Sequence, residues 1–545
     1  MTILRRYAII ALIVIAGLAI VIAGAPPPVV NVLTYHNDLS RSGVNSNETI
    51  LMPSNVSSAT FGKLSNVPLD GAVFGQPLYL SSVLVAGSTR KVVLVATENN
   101  TVYAIDATTG AVLWHVNFNY SSDSTAIVGP VPSTDANTED IVPVIGITST
   151  PVIDPGTNFL YTVSKTKAVS PVNGTSYHQN LHGVNILTGH EAFPTVEITA
   201  SVRGTCGSTD VTGKNVVFNP LMENQRAALT LTGGIIYIAW GSHSDNPPFN
   251  GWVMGYSTAN RHQTAVFNTT AAAPATKGCD GGIWMTGGGP SVDSTGNIFL
   301  VSSNGNFRHT VNFPTYSQSV LKLIPHTGGM SVLDSFTPYN WSALDAVNGD
   351  LGVTDAVLLP DQSGPVAHLL VNISKKGTIY VLNRDNLGGL GNGVNNIVQE
   401  LDGVESTSPC PSPVFFNQTL YASAAGKTVQ AWQMTNGLFN STPVALSPAA
   451  FPFPGLGMSV SSAPDKTNAI VWGLAPQSGI VTTSVLHAYL ATTLASVYNS
   501  NQAGTRDVPG NYTKYSIPTV ANGQVFVGTQ NSLAIYGLLP PPTNK

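Results

Sequence analysis

One stretch of the chain constrains its fold more than any other: Thr101 to Val116, TVYAIDATTGAVLWHV. Its apolar residues alternate as in two short strands, and Asp106-Ala-Thr-Thr-Gly110 between them has the composition of a tight turn. The Asp carboxylate can close such a turn and Gly110 can supply a positive φ. Trp114 follows, placed to lie over the hairpin and cover a neighbour. Looser versions of this unit recur at 183–193, 253–267, 320–336, 379–389, 429–439, 485–498 and 533–539, which makes eight. Most are preceded by a second pair of strands, in which small residues and Pro lead into an apolar run, as at 149–163, 288–301, 412–424 and 517–529.

Four strands per repeat around an axis make a propeller blade. The expected fold is therefore all-β, an eight-bladed β-propeller over residues 61–539, with a polar N-terminal segment at 26–60 and a short tail at 540–545. The last repeat stops after its third strand, and 61–69, FGKLSNVPL, is the expected fourth. The two ends of the chain would then close the ring. Long segments between strands, at 117–147, 165–182, 200–216 and 304–318, must emerge at the faces or rim. There they can roof the channel or form the contact of a homodimer.

The first 25 residues read as an export signal. Arg5 and Arg6 precede a 17-residue apolar run from Tyr7 to Ala23, followed by small residues and three prolines. Left uncleaved, the run would hold the protein at a membrane or cell surface. Either way the propeller is expected outside the cytoplasm, and eleven Asn-x-Ser/Thr sequons suit a glycosylated, secreted surface. The net charge of −5, with Lys and Arg scattered, gives no footprint for nucleic acid.

Three cysteines, Cys206, Cys279 and Cys410, are present without a C-x-x-C-H haem motif or paired metal-ligand spacing. In an exported protein Cys206 and Cys279 are candidates for a disulfide, the alternative being a reactive thiol at Cys279 beside Asp280. The segment at the start of each inner strand rings the opening of a propeller. Aligning those segments puts Asp355 where other blades carry Thr150 and Gly289. A carboxyl there must be hydrogen-bonded, protonated or used. Asp350 in NGDLG and Asp280 in GCDGGIWMTGGG are further acids near the same opening. His36, Asp38 and Arg41 form a compact charged group before the first blade, readable as a segment tied down by a salt bridge.

Through YHNDLSRSG, FGQPLYL, the Trp114 repeat, GGIWM, YVLNRDNLGG, VLHAY and IPTVANGQVFVGTQNSLAIYGLL, nearly the whole chain after residue 33 resembles the pyrroloquinoline-quinone-like propeller proteins. Quinone-dependent dehydrogenases of that fold hold the quinone with basic side chains, carry Ca²⁺ on Glu and Asn, and usually have a vicinal cysteine pair. The sequence shows no Cys-Cys and no evident calcium or tricarboxylate set. Within the superfamily, the KGCDGGIWM stretch and the low charge content resemble the tetrathionate hydrolases of acidophiles. Only 9% of residues are charged, so the 23 Lys and Arg and 11 His limit self-repulsion once acid has protonated the carboxylates.

This resemblance implies splitting of tetrathionate into thiosulfate, sulfur and sulfate without any cofactor or metal. The general acid would be Asp355, with Asp350 and Asp280 as substitutes. His36, Arg41 or Arg384 would balance the dianionic substrate, and Trp284 would accommodate nascent sulfur. A quinone-dependent dehydrogenase and a non-catalytic scaffold are the alternative readings.

Overall fold

The computed structural model describes residues 30–541 apart from 86, 275–278, 309–313, 327–328, 391–396, 405–410 and 480–481. The export segment and Cys410 lie outside the described residues. Among the described residues eight blade sheets follow one another in sequence, each built on an antiparallel run of strands that starts from an inner strand, and a separate two-stranded sheet pairs Ser201–Arg203 with Asn215–Val217. Those inner strands are Leu78–Val85, Val152–Asp154, Thr230–Thr232, Ser291–Val292, Val357–Leu358, Val414–Phe416, Gly457–Ser461 and Thr519–Ala521. Apolar clusters fill the spaces between blades, for example where Phe61, Trp472, Tyr498 and Tyr536 meet between blades seven and eight. Among the described residues no helix is long and apolar enough to cross a membrane.

The Trp114 repeat behaves as its composition requires. Thr101–Asp106 pairs with Val112–Asn117 as the third and fourth strands of blade one. The Asp106 carboxylate accepts from the Thr108 and Thr109 N–H groups and from Arg90, and Gly110 has φ +74°. Trp114 docks on the next blade: its indole N–H donates to the Ile186 carbonyl at 2.9 Å, and its ring lies over Gly189. A Cβ on Gly189 would come within 2.8 Å of that ring.

Phe61–Pro68 pairs with Ser532–Leu538, so the chain's first long strand is the outer strand of its last blade. The buried Asp507 carboxylate locks this joint, accepting from the Lys63 N–H at 3.0 Å, from the Tyr498 hydroxyl at 2.8 Å and from Arg506. Blade five departs from expectation. Its outer strand is Gln399–Asp402, whereas Gly389, where the repeat at 379–389 was expected to end, belongs with Leu390 to a short strand that pairs with the outer strand of blade four.

The polar segment before the first blade has a role that periodicity could not reveal. It makes a circuit of the channel wall and bonds to the inner strand or inner hairpin of all eight blades. Val32 exchanges two hydrogen bonds with Tyr79, and the carbonyls of Leu33, Leu39, Ser40, Ser42 and Gly43 accept from Ile153, Val292, Leu358, Phe415 and Val460. Blade three is reached by Arg41 through Thr230, and blade eight by Asn45 through the Val520 carbonyl. An inner strand has an unpaired edge facing the channel, and this strap satisfies those edges.

Arg41 is fully buried and donates to Thr34 Oγ1, the Tyr35 carbonyl, Thr230 Oγ1 and the Pro290 carbonyl at 2.6–2.9 Å. Carbonyls and hydroxyls, rather than a salt bridge to Asp38, tie the segment down. Two expected outcomes follow for denaturant unfolding: Phe61→Ala should lower stability by about 3–5 kcal/mol through the cavity at the joint. Arg41→Met should lower it by about 3 kcal/mol or more, because several buried acceptors lose their donor.

Candidate functional site

The inner strands run in the same sense around the axis, so the residues just before them form one mouth of the channel. A cleft of about 300 Å³ opens there. Its lining includes Phe74, Arg226, Trp284, Asp350 and Tyr515, each four to seven positions ahead of an inner strand. Lys375, Lys514, Asp245 and Asn348 complete much of the wall, and Asp140 and Ile141 reach it from the 117–147 segment. That segment is held over the cleft by hydrogen bonds from Ser244 to Asp140 at 2.9 Å and between Thr138 and Ser244 at 2.6 Å. The expectation that this segment roofs the opening therefore matches its position.

Trp284 belongs to the glycine-rich run GGIWMTGGG. Its indole N–H donates to Ser303 Oγ at 2.8 Å, and its ring lies 6.2 Å from that of Tyr515, at 57°. Glycine at 241 permits this seat, since a Cβ there would come within 3.0 Å of the Trp284 Cβ. Cys206 and Cys279, joined as a disulfide with Cα atoms 5.3 Å apart, fix the loop that leads into the run.

Three cations face the cleft. Lys375 Nζ lies 3.1 Å from Asp350 Oδ2 and 2.9 Å from Asn348 Oδ1. Lys514 Nζ pairs with Asp140 at 2.6 Å and sits over the Phe453 and Tyr515 rings. Arg226, almost fully buried, packs over Phe74 and donates to the Lys514 carbonyl. Asp350 is buried and accepts from the Asn304 N–H at 3.1 Å. Burial pushes its carboxyl up to about 6, against the pull of Lys375 and with a further push from Asp245.

The residues singled out from sequence separate into distinct places. Trp284 and Asp350 line the cleft. Asp280 stands in the adjoining loop, bridging Asn250 and Gly305, with its carboxyl pushed up to about 6 by burial, Asp245 and Asp345. Arg384 lines a separate groove with Ser40, Asp361 and His368. His36 and Arg41 belong to the strap and are corrected as substrate ligands: both are fully buried, and burial depresses the His36 imidazole to about 3, so it stays neutral. Asn372, one of the sequons, is fully buried and closed to glycosylation in the folded protein.

Asp355 lies two positions before its inner strand, the same level as Thr150 and Gly289, as the alignment required. That level is below the cleft and above the strap. Its carboxyl is fully buried against Gly288, where a Cβ would come within 2.6 Å of Oδ2. Neither oxygen has a well-formed hydrogen bond. Burial pushes the carboxyl up to about 7, opposed by the Ser412 hydroxyl and by Arg41. Sequence reasoning missed Arg226, Lys375 and Lys514, which are far apart in the chain. Only their common offset from inner strands or adjoining hairpins could have brought them together.

No protein-family profile matches the sequence, and no curated protein is significantly similar to it. Solved structures do resemble it. A quinohemoprotein alcohol dehydrogenase from Comamonas testosteroni superposes with a TM-score of 0.61 at 13% identity, over 93% of this chain and 80% of that one. The fold is the quinoprotein-type propeller. A quinohemoprotein alcohol dehydrogenase from Pseudomonas putida HK5 gives 0.58 at 12% identity, covering 94% and 82%. A europium-containing methanol dehydrogenase gives 0.59 at 11%, covering 93% and 98%.

These three solved structures are dehydrogenases and none is a hydrolase, so the expectation of a tetrathionate hydrolase is corrected and not carried further. The acid on which that expectation relied, Asp355, is also sealed beneath the cleft. Its raised carboxyl has a measurable sign. The folded group binds its proton more tightly than an unfolded Asp, so the wild type loses stability as pH rises from about 4 through about 7. Asp355→Asn has no such loss. It should be more stable than wild type at pH 8 by about 2–4 kcal/mol and equal to it near pH 4, as read from denaturant melts at both pH values.

Proposed function

We propose that this protein is a quinone-dependent dehydrogenase acting on a small organic substrate at the cleft beside Trp284. The observation that carries the reading is the grouping of a flat indole with Arg226, Lys375 and Lys514 around one cleft at the channel mouth. A planar quinone bearing carboxylates needs such a surface: an aromatic face to lie against and cations to hold its charge. The cleft volume is at the lower end of small-molecule sites, about 300–1,000 Å³. These residues therefore fit a pyrroloquinoline-quinone-like group. When bound, such a group would accept the two electrons removed from the substrate.

The protein's own contribution is proton handling and placement. Asp350 in its carboxylate form accepts the substrate's hydroxyl proton, and its raised pKa makes it a stronger base than an exposed Asp. Lys375 holds that carboxylate in position and offsets its charge. Asp140 and Ile141 narrow the opening and limit water around the reacting atoms. Among the described residues no three His, Cys, Asp or Glu side chains come close enough together to hold a metal ion. The cation beside Asp350 is the Lys375 ammonium, and no step is assigned to a metal. The disulfide supports work in an oxidising compartment outside the cytoplasm.

Purified protein titrated with pyrroloquinoline quinone should quench Trp fluorescence and bind one equivalent. Trp284→Ala and Lys514→Ala should each weaken binding by about tenfold or more. Dye-linked oxidation of short alcohols should rise with pH through about 6 as Asp350 ionises, and Asp350→Asn should lower turnover by about 10²-fold or more while quinone still binds. Absence of quinone binding would overturn the reading and favour a non-catalytic propeller.

A further inference from the structure

One corner of the cleft has its hydrogen-bonding polarity fixed from behind. The Leu351 N–H donates to Gln318 Oε1 at 2.7 Å, Gln318 Nε2 to Asn304 Oδ1 at 2.9 Å, and Asn304 Nδ2 to Asn348 Oδ1 at 2.6 Å. At the far end Lys375 Nζ donates to the same Asn348 Oδ1 at 2.9 Å. A backbone N–H and an ammonium can only donate, so both ends of this relay demand oxygens. The three carboxamides between them can therefore run in one direction alone. Gln318 is fully buried at φ +48° and Asn348 holds φ +52°, conformations that cost backbone energy, more for Gln than for Asn. Asn348 stands in the wall of the cleft and is exposed there. With Oδ1 turned back toward Asn304 and Lys375, Nδ2 is the end left for the cleft, and none of the described residues accepts from it. The relay is also tied to the carboxyl assigned as the base. The Asn304 N–H donates to Asp350 Oδ1 at 3.1 Å, and the Lys375 ammonium bridges Asp350 Oδ2 and Asn348 Oδ1. An amide donor and a proton-accepting carboxylate thus stand side by side on one ammonium.

We propose that Asn348 is a specificity-determining residue that selects alcohols carrying a second, hydrogen-bond-accepting oxygen on the carbon next to the reacting one. The inference rests on the reading of the cleft as a dehydrogenase site with Asp350 as base, and adds which alcohols it takes. As Asp350 accepts the hydroxyl proton, Asn348 Nδ2 donates to the neighbouring oxygen, whether ether, hydroxyl or carbonyl. Two groups held by one ammonium are close enough to meet oxygens on adjacent carbons. A methylene in that place displaces water from the amide and gives it no acceptor in return. An ammonium there sets N–H against N–H, and the site rejects it.

Paired alcohols of equal size test this. 2-Methoxyethanol has an ether oxygen where 1-butanol has a methylene, and that oxygen can only accept. In dye-linked oxidation by the quinone-loaded enzyme, the ratio of kcat/KM for 2-methoxyethanol to that for 1-butanol should fall by about three- to tenfold in Asn348→Ala. Asn348→Asp keeps an oxygen for Asn304 and Lys375 but replaces the donor facing the cleft with an acceptor, so this ratio should fall at least as far. The ratio for 2-aminoethanol, an ammonium ion at neutral pH, to 1-propanol should instead rise in Asn348→Asp by about tenfold. A residue that only held its loop in place would change both members of a pair alike, because effects on Asp350 or on the quinone cancel in each ratio. Equal ratios in the wild type and both variants, with all of them oxidising 1-butanol, would overturn the proposal and leave the dehydrogenase reading intact. A second arm needs neither quinone nor turnover. Neutron diffraction from the deuterated protein should find two deuterons on the cleft side of the Asn348 carboxamide. Oxygen on that side would overturn the proposal even in a protein that oxidised no alcohol.

Discussion

The hydrogen-bond ladder between Phe61–Pro68 and Ser532–Leu538 is the constraint on which the rest of the molecule depends. Eight sheets in an open row leave the apolar faces of the first and last uncovered, and a last blade without its fourth strand also leaves a row of N–H and C=O groups unpaired. Lending the first strand to the last blade removes both ends at once. The strap completes the arrangement by pairing with the inner edges. Outer edge and inner edge are thus closed by one continuous piece of chain.

Closing one level of the channel with the strap leaves the cleft at the other mouth as a cup with a sealed base. Charged residues are few in this protein, and a notable share of them meets near that cup: Arg226, Lys375 and Lys514 against Asp140, Asp245 and Asp350 on its wall, with Asp355 below. In a low-dielectric setting each of these charges is felt by the others more strongly than on an exposed face. Burial itself raises the carboxyl pKa values at Asp350 and Asp355, against the pull of the Lys375 and Arg41 cations. The opposite consequence is seen at His36, which the same burial keeps uncharged. The strap's imidazole and the channel's acids therefore lose their charges for the same reason.

The repeat was legible because a docking tryptophan, an Asp-closed turn and a Gly at positive φ each depend on local chemistry. The same is true of the eight-fold count and of the strand that completes the last blade. Blade five's outer strand was misplaced, since the 379–389 segment carries strand and turn signals but the sheet takes up a later segment. Trp284 and Asp350 could be singled out because they stand in unusual runs, GGIWM and NGDLG. Arg226, Lys375 and Lys514 stand in ordinary surroundings, and nothing local distinguishes them from surface cations.

What the sequence determined by itself is the architecture: strand periodicity, turn residues and eight recurrences admit little else than a closed ring. It also determined the level of Asp355, because position relative to an inner strand sets depth along the channel. Only the tertiary structure decided what each depth means. It sealed Asp355 under Gly288, spent Arg41 on carbonyls of the strap and its neighbours, and gathered three distant cations around Trp284. The reason is physical. Strand and turn formation respond to neighbours within a few residues, whereas burial and electrostatic potential are set by groups that only closure of the ring brings together.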